Sequence, residues 1–448
     1  MASAPKSIAT LADKHAIEAT PFEAQCDDRN LYEMLSRTAE AHPDRPALAF
    51  QLRGSAKDRV HTLGWRELRA EVTRLANALH ALGLKRDDPI ALLLPNLPET
   101  AVALLAAMTA GIAAPINPLL EPFQISAILR ETRAKALITL KPFAKTDIAA
   151  KAAKAVRNAP ECRTVIEVDL GRYVTGLTGL VAPFLAPKRE HAGPARVLSL
   201  AEATKGAPAD RLAFRYEDEP HDVSAYFHTG GTTGAPKVAV HTHQGGLYNG
   251  WLVRRLLLGP EDTVLCPLPL FHVLAAYPML TACVATGAQF VMPTPAGYRG
   301  EGVMDNFWKL VERHRATFVC AVPTAVAALM QRTVNADVSS LRYALCGSAP
   351  MPKQLFNRFE QATGVKILEG YGQTETTCLI SCNPMLGERK IGSVGLPMPF
   401  TEVKILKPSG DDWIACETDE IGEICVAGPG VIGGYLDPDR NGGLFAAE

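Results

Sequence analysis

Short, uninterrupted apolar runs alternate with segments of helical spacing, and this alternation limits the fold more than any other feature. Pro89-Ile-Ala-Leu-Leu-Leu94 offers no polar residue to turn toward water, as a strand covered on both faces requires. Ala136-Leu-Ile-Thr-Leu140 and Val165-Ile-Glu-Val168, each with one polar residue, repeat the short-strand signal. Leu68, Val72, Leu75, Ala76, Leu79 and Leu82 recur at helical period, which predicts a helix over Trp65 to Leu82, with Gly83 as its stop. Another helix begins near Glu99. Strands alternating with helices predict an α/β fold with a mainly parallel sheet. The 448 residues exceed one simple core. The expected division is an N-terminal extension (1–28), a first α/β subdomain (29–222) with an excursion near 171–195, a second α/β subdomain (223–390), and a small β unit from 391 to 448. Glu402-Val-Lys-Ile-Leu406 and Glu423-Ile-Cys-Val426 are the expected strands of that last unit.

Charge and composition exclude some classes. With 46 basic and 47 acidic residues, the chain carries no basic excess of the kind nucleic-acid binding needs. A phosphate ligand stays open, because it needs only backbone N–H groups and one or two cations. The ten cysteines contain no CxxC pair and are read as reduced thiols. Met1 to about Glu23 shows no apolar core of a secretory signal. Ala101 to Ala114 is shorter than the roughly 20 residues that span a bilayer, so a buried helix is expected there and no transmembrane segment. These readings together lead to the expectation of a cytoplasmic protein. Leu177 to Leu185 offers a surface for peripheral membrane contact, although a patch folded back on the core is the preferred reading.

The strongest local signal is Tyr226-Phe-His-Thr-Gly-Gly-Thr-Thr-Gly-Ala-Pro-Lys237. An apolar strand, Val223 to Phe227, runs into a loop of three glycines and three threonines. Gly230, Gly231 and Gly234 permit sharp turns and close approach to a ligand. Thr229, Thr232 and Thr233 add hydroxyl donors, and Lys237 adds a positive charge. Such a loop can enclose a polyphosphate. It differs from the P-loop of kinases and GTPases, because Ala235 and Pro236 separate Gly234 from Lys237. Two further segments offer partners: Leu345-Cys-Gly-Ser-Ala-Pro350, with small Gly347 and Ala349, and Glu369-Gly-Tyr-Gly-Gln-Thr-Glu375. Pro267-Leu-Pro-Leu-Phe-His272 precedes an apolar stretch, Val273-Leu-Ala-Ala276, and Val322 to Ala328 is similarly apolar. Both stretches are either pocket wall or helix faces packed into the core. His241 and His243 form an HxH pair with no further ligand suggested by spacing, so zinc is not expected there.

These segments, in this order, resemble the adenylate-forming superfamily, and within it the large domain of an acyl-CoA synthetase. The resemblance runs from about Leu31 to Phe445 and includes Ile391-Gly-Ser-Val-Gly-Leu-Pro397, Gly422 to Gly428 and Gly433-Gly-Tyr435. It implies two stacked, mainly parallel sheets with helices and a small β-barrel-like subdomain. It implies ATP, Mg²⁺ and coenzyme A as cofactors and co-substrate, and a small carboxylic acid as substrate. By this resemblance the Thr229–Lys237 loop holds the phosphates, and Gly347, Ser348, Ala349 and Pro350 border the adenine. Glu369, Gly370, Tyr371 and Gly372 form the segment around the base, with Tyr371 stacking on it. Thr374 meets the α-phosphate and Glu375 helps hold Mg²⁺. His272 lies near the acid, where it shields or orients the carboxylate or is simply a satisfied buried histidine. The implied reaction gives an acyl-adenylate and then acyl-CoA. The apolar stretches suggest a medium- or long-chain fatty acid.

In two places the sequence departs from the family. Val238 stands where many relatives carry Gly. The Thr-Gly-Asp segment, hinge and small C-terminal domain that supply the ribose Asp and a catalytic Lys are not found before Glu448, so the second step is expected to need a domain outside this sequence. Three other readings remain open: an amino- or aryl-acid adenylation domain, a luciferase-like oxygenase, and a non-catalytic nucleotide-binding module. His272, where amino-acid-activating relatives place an acid, argues against an α-amino substrate.

Overall fold

A computed structural model describes residues 7–176, 186–229, 236–409 and 412–445. The chain opens one sheet with β1 (Pro46–Gln51) and β2 (Val60–Gly64). It then builds a second sheet from β3 (Pro89–Leu93), β4 (Ile112–Pro115), β5 (Ala136–Leu140), β6 (Thr164–Val168), β7 (Arg196–Ser199), β8 (Val223–His228) and β9 (Val238–Thr242). It returns to the first with β10 (Thr263–Leu265), β11 (Gln289–Pro293), β12 (Phe318–Ala321), β13 (Tyr343–Cys346), β14 (Lys366–Gln373), β15 (Cys378–Cys382) and β16 (Leu396–Pro397). The spatial orders are β16-β15-β14-β13-β12-β10-β11-β1-β2 and β7-β6-β5-β3-β4-β8-β9. Most pairings are parallel; β2, β9, β15 and β16 add antiparallel ones. The α/β expectation therefore holds, and the continuous apolar runs are the strands buried on both faces.

The sheets do not divide the chain at residue 222. β8 and β9 complete the seven-stranded sheet, while β1 and β2 belong to the nine-stranded one. Likewise β7, which follows the expected excursion near 171–195, pairs with β6 of the same sheet. Strand neighbours are chosen by packing, and a long connection can return to either side of a sheet. The expected apolar surface at Leu177 to Leu185 lies outside the described residues.

Helix α1 (Trp65–Ala81) ends as expected, with Gly83 in the left-handed region at φ +91° and its N–H bonded to the His80 carbonyl at 2.9 Å. Helix α2 (Pro98–Ala110) is buried on all sides, from Pro98 through Ala110. A helix apolar all round belongs in a core. Alanines at 101, 103, 106, 107 and 110 let it lie close to its neighbours, and residues of both sheets join it in one apolar cluster. Each fully buried Leu or Ile there contributes about 1.5–3 kcal/mol. No helix among the described residues is long and apolar enough to cross a membrane.

The last unit is a three-stranded antiparallel sheet, β18 (Asp412–Ala415), β17 (Glu402–Ser409) and β19 (Glu423–Ala427), where the sequence predicted short strands. It does not close into a barrel among the described residues. All ten cysteines are free thiols.

Candidate active site

The turns beyond the carboxyl ends of the parallel strands of both sheets face one cleft of about 1830 Å³. Open α/β sheets place their ligands at that edge. The seven-stranded sheet contributes Pro95 and Asn96 after β3, Asn117 after β4, and Phe143 to Ile148 after β5. The nine-stranded sheet contributes Phe271 to Leu274 beyond β10, Val322 beyond β12, Gly347 and Ser348 after β13, and Gly370 to Glu375 at the end of β14. β14 and β10 lie three strand spacings apart, about 14 Å.

The β14 end is held in a specific shape. Gly370 to Gln373 pairs antiparallel with β15 through a register shift between Tyr371 and Gly372. A Cβ on Gly372 would lie 1.6 Å from the Cys378 carbonyl oxygen, so only glycine fits. Thr374 to Thr376 then form a 3₁₀ turn. Helix α3 (His243–Leu256) supports that turn from beneath: the Asn249 side-chain amide donates to the Thr377 carbonyl at 2.7 Å and accepts from Leu379 N–H at 3.3 Å. Tyr371, Thr374 and Glu375 line the cleft together. Burial, and then the nearby Glu375, raise the Tyr371 phenol above its ordinary value, so it stays neutral.

Across the cleft the segment from Pro267 is clamped by Asn96. The Asn96 amide donates to the Leu268 carbonyl at 2.8 Å, and its oxygen accepts from Leu270 N–H at 3.0 Å. His272 caps the start of a short helix and is exposed to the cleft. The surrounding walls still lower its pKa, so the imidazole is neutral at pH 7. Beside it lies His228, the last residue of β8. Asn117 N–H donates to His228 Nε2 at 3.0 Å. That bond fixes Nε2 as acceptor and puts the ring proton on Nδ1. Burial, and then His272, push His228 down to about 4. Val273, Leu274, Val322, Thr324 and Ala325 line the same cleft, whereas Ala275 and Ala276 are buried in the core.

The base of the Thr229–Lys237 segment is closed by Thr229 N–H donating to the Lys237 carbonyl at 2.8 Å. Gly230, Gly231, Thr232, Thr233 and Gly234 lie outside the described residues. Lys237 is exposed, and its Nζ lies 4.7 Å from the centre of the Tyr435 ring. The Tyr435 hydroxyl donates to Glu375 Oε1 at 2.5 Å. Backbone bonds hold Tyr435 there: Val240 N–H to the Gly434 carbonyl at 3.0 Å and Leu436 N–H to the Val238 carbonyl at 2.8 Å.

Not every expected residue faces the cleft. Glu369 is buried, and its Oε1 accepts Met351 N–H at 3.1 Å, so its side chain braces the turn after β13. Ala349 and Pro350 are exposed beyond the cleft wall. Ser348 takes a left-handed φ of +70° within that turn. His241 is fully buried, with Nδ1 3.2 Å from the Tyr277 hydroxyl, and burial pushes it down to about 3. No group of three or more His, Cys, Asp or Glu that could hold a metal occurs among the described residues. Glu375 nonetheless fits a cation shared with phosphates: it lines the cleft, and its Oε2 accepts no hydrogen bond among the described residues. Mg²⁺ commonly takes one or two carboxylates plus phosphate oxygens. Sequence reasoning passed over His228, Asn96 and the contacts of Tyr435. His228 stands directly before the Thr/Gly loop, and its position was the available signal.

Known proteins bear on this arrangement. The family description "AMP-binding enzyme" matches residues 35–436. A marinolic acid–CoA ligase of Pseudoalteromonas sp. (strain SANK 73390) is 32% identical over 98% of this chain, which spans 65% of that protein's length. A long-chain-fatty-acid–CoA ligase of Bacillus subtilis (strain 168) is 27% identical, over 96% of this chain and 75% of that one. The crystal structure of a long-chain-fatty-acid–CoA ligase from Archaeoglobus fulgidus shares the fold, with a TM-score of 0.76 at 21% identity, covering 92% of this chain and 77% of that one. The chain belongs to the AMP-binding enzyme family.

Proposed function

We propose that this protein activates a carboxylic acid with ATP, forming an acyl-adenylate that coenzyme A then converts to acyl-CoA, and that the acid is a medium- or long-chain fatty acid. One observation carries the reading: the Gly347–Ser348 turn, the Gly370–Glu375 segment and the apolar stretch beyond His272 open into a single cleft. The CoA-ligase names of the relatives support the same activity.

In the first step an oxygen of the acid carboxylate attacks the α-phosphorus of ATP, and the bond from that phosphorus to the bridging oxygen breaks. Pyrophosphate leaves with the charge. Tyr371 offers an aromatic face to the adenine, and Thr374 offers a hydroxyl to the α-phosphate. Lys237 and the donors of the Thr229–Lys237 segment stabilise charge on the departing pyrophosphate. Glu375 would hold a Mg²⁺ ion together with phosphate oxygens, and the ion would supply further neutralisation of that charge when bound. His272 is neutral and can donate a hydrogen bond to the acid without adding a competing charge. It is not needed as a base, because a carboxylate is already ionised at neutral pH. Val273, Leu274, Val322 and Ala325 present an apolar wall to the acyl chain. A cytoplasmic location accords with this chemistry and with the ten free thiols.

The test is isotope exchange between pyrophosphate and ATP with a panel of acids. Exchange that rises with octanoate or palmitate above acetate and amino acids is the expected result. Acetate or an amino acid outperforming both would overturn the substrate class. Tight ATP binding with no exchange for any acid would favour a nucleotide-binding module.

A further inference from the structure

Three separate stretches of sequence meet at the ring of Tyr435. Lys237 ends the phosphate segment, and its Nζ sits 4.7 Å from the ring centre. Glu375 ends the Gly370–Glu375 segment, and its Oε1 accepts the Tyr435 hydroxyl at 2.5 Å. Tyr435 itself arrives about 60 residues later on an extended stretch stitched to β9 by its neighbours Gly434 and Leu436. Its own N–H donates to Asn441 Oδ1 at 2.7 Å, and Ile432 N–H donates to the Glu375 carbonyl at 3.0 Å. The tyrosine is therefore fixed from both sides, and through it the Glu375 carboxylate is oriented while Lys237 is kept near the ring.

We propose that Tyr435 is a positioning residue for the phosphate end of the site: its hydroxyl orients the Glu375 carboxylate for a cation through Oε2, and its ring holds Lys237 beside it. This inference rests on the ATP-dependent reading above and adds to it a residue that touches neither nucleotide nor acid. A carboxylate that binds a cation through one oxygen is commonly oriented by a hydrogen bond to the other, and removing that partner weakens metal binding by about 10- to 100-fold. A cation over an aromatic face is held only weakly at exposed sites, enough to bias a flexible lysine but not to immobilise it. Lys237 can thus leave the ring for a phosphate when nucleotide arrives.

Calorimetric titration of ATP, once with Mg²⁺ and once with EDTA, tests the assignment on the wild-type and Tyr435→Phe chains. Phe keeps the ring under Lys237 and removes only the hydroxyl. Metal-free ATP affinity should stay within about twofold, while the Mg²⁺ concentration for half-maximal enhancement rises by about 10- to 100-fold. Tyr435→Leu, which removes the ring too, should also weaken metal-free ATP binding. Thermal melts check that each variant folds, and if the Leu variant does not, the Phe variant decides alone. A Tyr435→Phe chain with the wild-type Mg²⁺ curve overturns the proposal, as does one that loses metal-free and Mg²⁺-dependent binding by the same factor. If Glu375→Gln abolishes the Mg²⁺ dependence while Tyr435→Phe leaves it intact, only the role of Tyr435 fails. A wild-type chain that binds no ATP in either buffer refutes the functional reading along with it.

Discussion

Gly372→Ala is the sharpest perturbation of the site that leaves every polar group in place. The added Cβ would lie 1.6 Å from the Cys378 carbonyl oxygen and 2.5 Å from its carbon. Both are backbone atoms, so no side chain can swing aside, and β15 must retreat by roughly an ångström or more to reach ordinary contact. Over-packing of this kind costs about 1–3 kcal/mol. Retreat of β15 also puts about two ladder hydrogen bonds at risk, at about 1 kcal/mol each. The total, about 3–5 kcal/mol, is a large share of the ~5–15 kcal/mol that holds a typical fold together. Because Gly372 lies between Tyr371 and Thr374, ATP affinity should fall with stability. Equilibrium urea unfolding, followed by tryptophan fluorescence, measures the loss. Gly442→Ala is the control, since a Cβ there meets nothing within 4 Å, and it should change stability by less than about 0.5 kcal/mol. Equal unfolding midpoints for the two variants would refute the claim that β15 fixes the shape of this segment.

Further variants probe the rest of the site. Glu375→Gln keeps the shape and removes the charge, so ATP binding should lose its Mg²⁺ dependence while metal-free binding persists; unaltered metal titrations would sink the assignment. Ala325→Phe fills part of the apolar wall and should shift acid preference toward shorter chains, and an unchanged panel would place the acyl chain elsewhere. His241 is held at about 3 in the folded state against about 6.5 unfolded. Below pH 6.5 the unfolded chain therefore gains a proton that the folded chain refuses, and stability falls with pH, by about 2 kcal/mol at pH 5 from this group. His241→Gln should remove that part of the slope between pH 7 and pH 5; identical urea profiles for variant and wild type would contradict it.

The parallel strands were legible because burial on both faces leaves an unmistakable apolar run, as at Pro89 to Leu93 and Ala136 to Leu140. That Tyr371, Thr374 and Glu375 would lie together was legible because they are close in sequence, and all three line the cleft. Sheet membership was not. β8 and β9 join the earlier sheet and β1 and β2 the later one, and nothing in a strand's own residues encodes which neighbour it will take. Glu369 shows the same limit in a side chain: it sits within the segment expected around the base, yet it is buried and accepts Met351 N–H. The Lys237–Tyr435–Glu375 contact joins residues from three distant stretches. Each was visible as a motif member, but their meeting depends on the pairing of residues 434 to 436 with β9.

In the proposed reaction one cleft holds the adenylate at its β13–β14 end and an apolar acyl chain beyond His272. A non-hydrolysable octanoyl-adenylate analogue tests it directly by equilibrium binding, with the adenosine sulfamate lacking the acyl group and an aminoacyl analogue as comparisons. If the acyl chain lies along Val273, Leu274 and Val322, burying its methylenes at about 0.8 kcal/mol each should make the octanoyl analogue bind at least a hundredfold more tightly than the unacylated compound. The aminoacyl analogue should gain little. Equal affinity for all three would mean that the acyl group finds no wall in this cleft, and the account of an acid-activating site would be wrong.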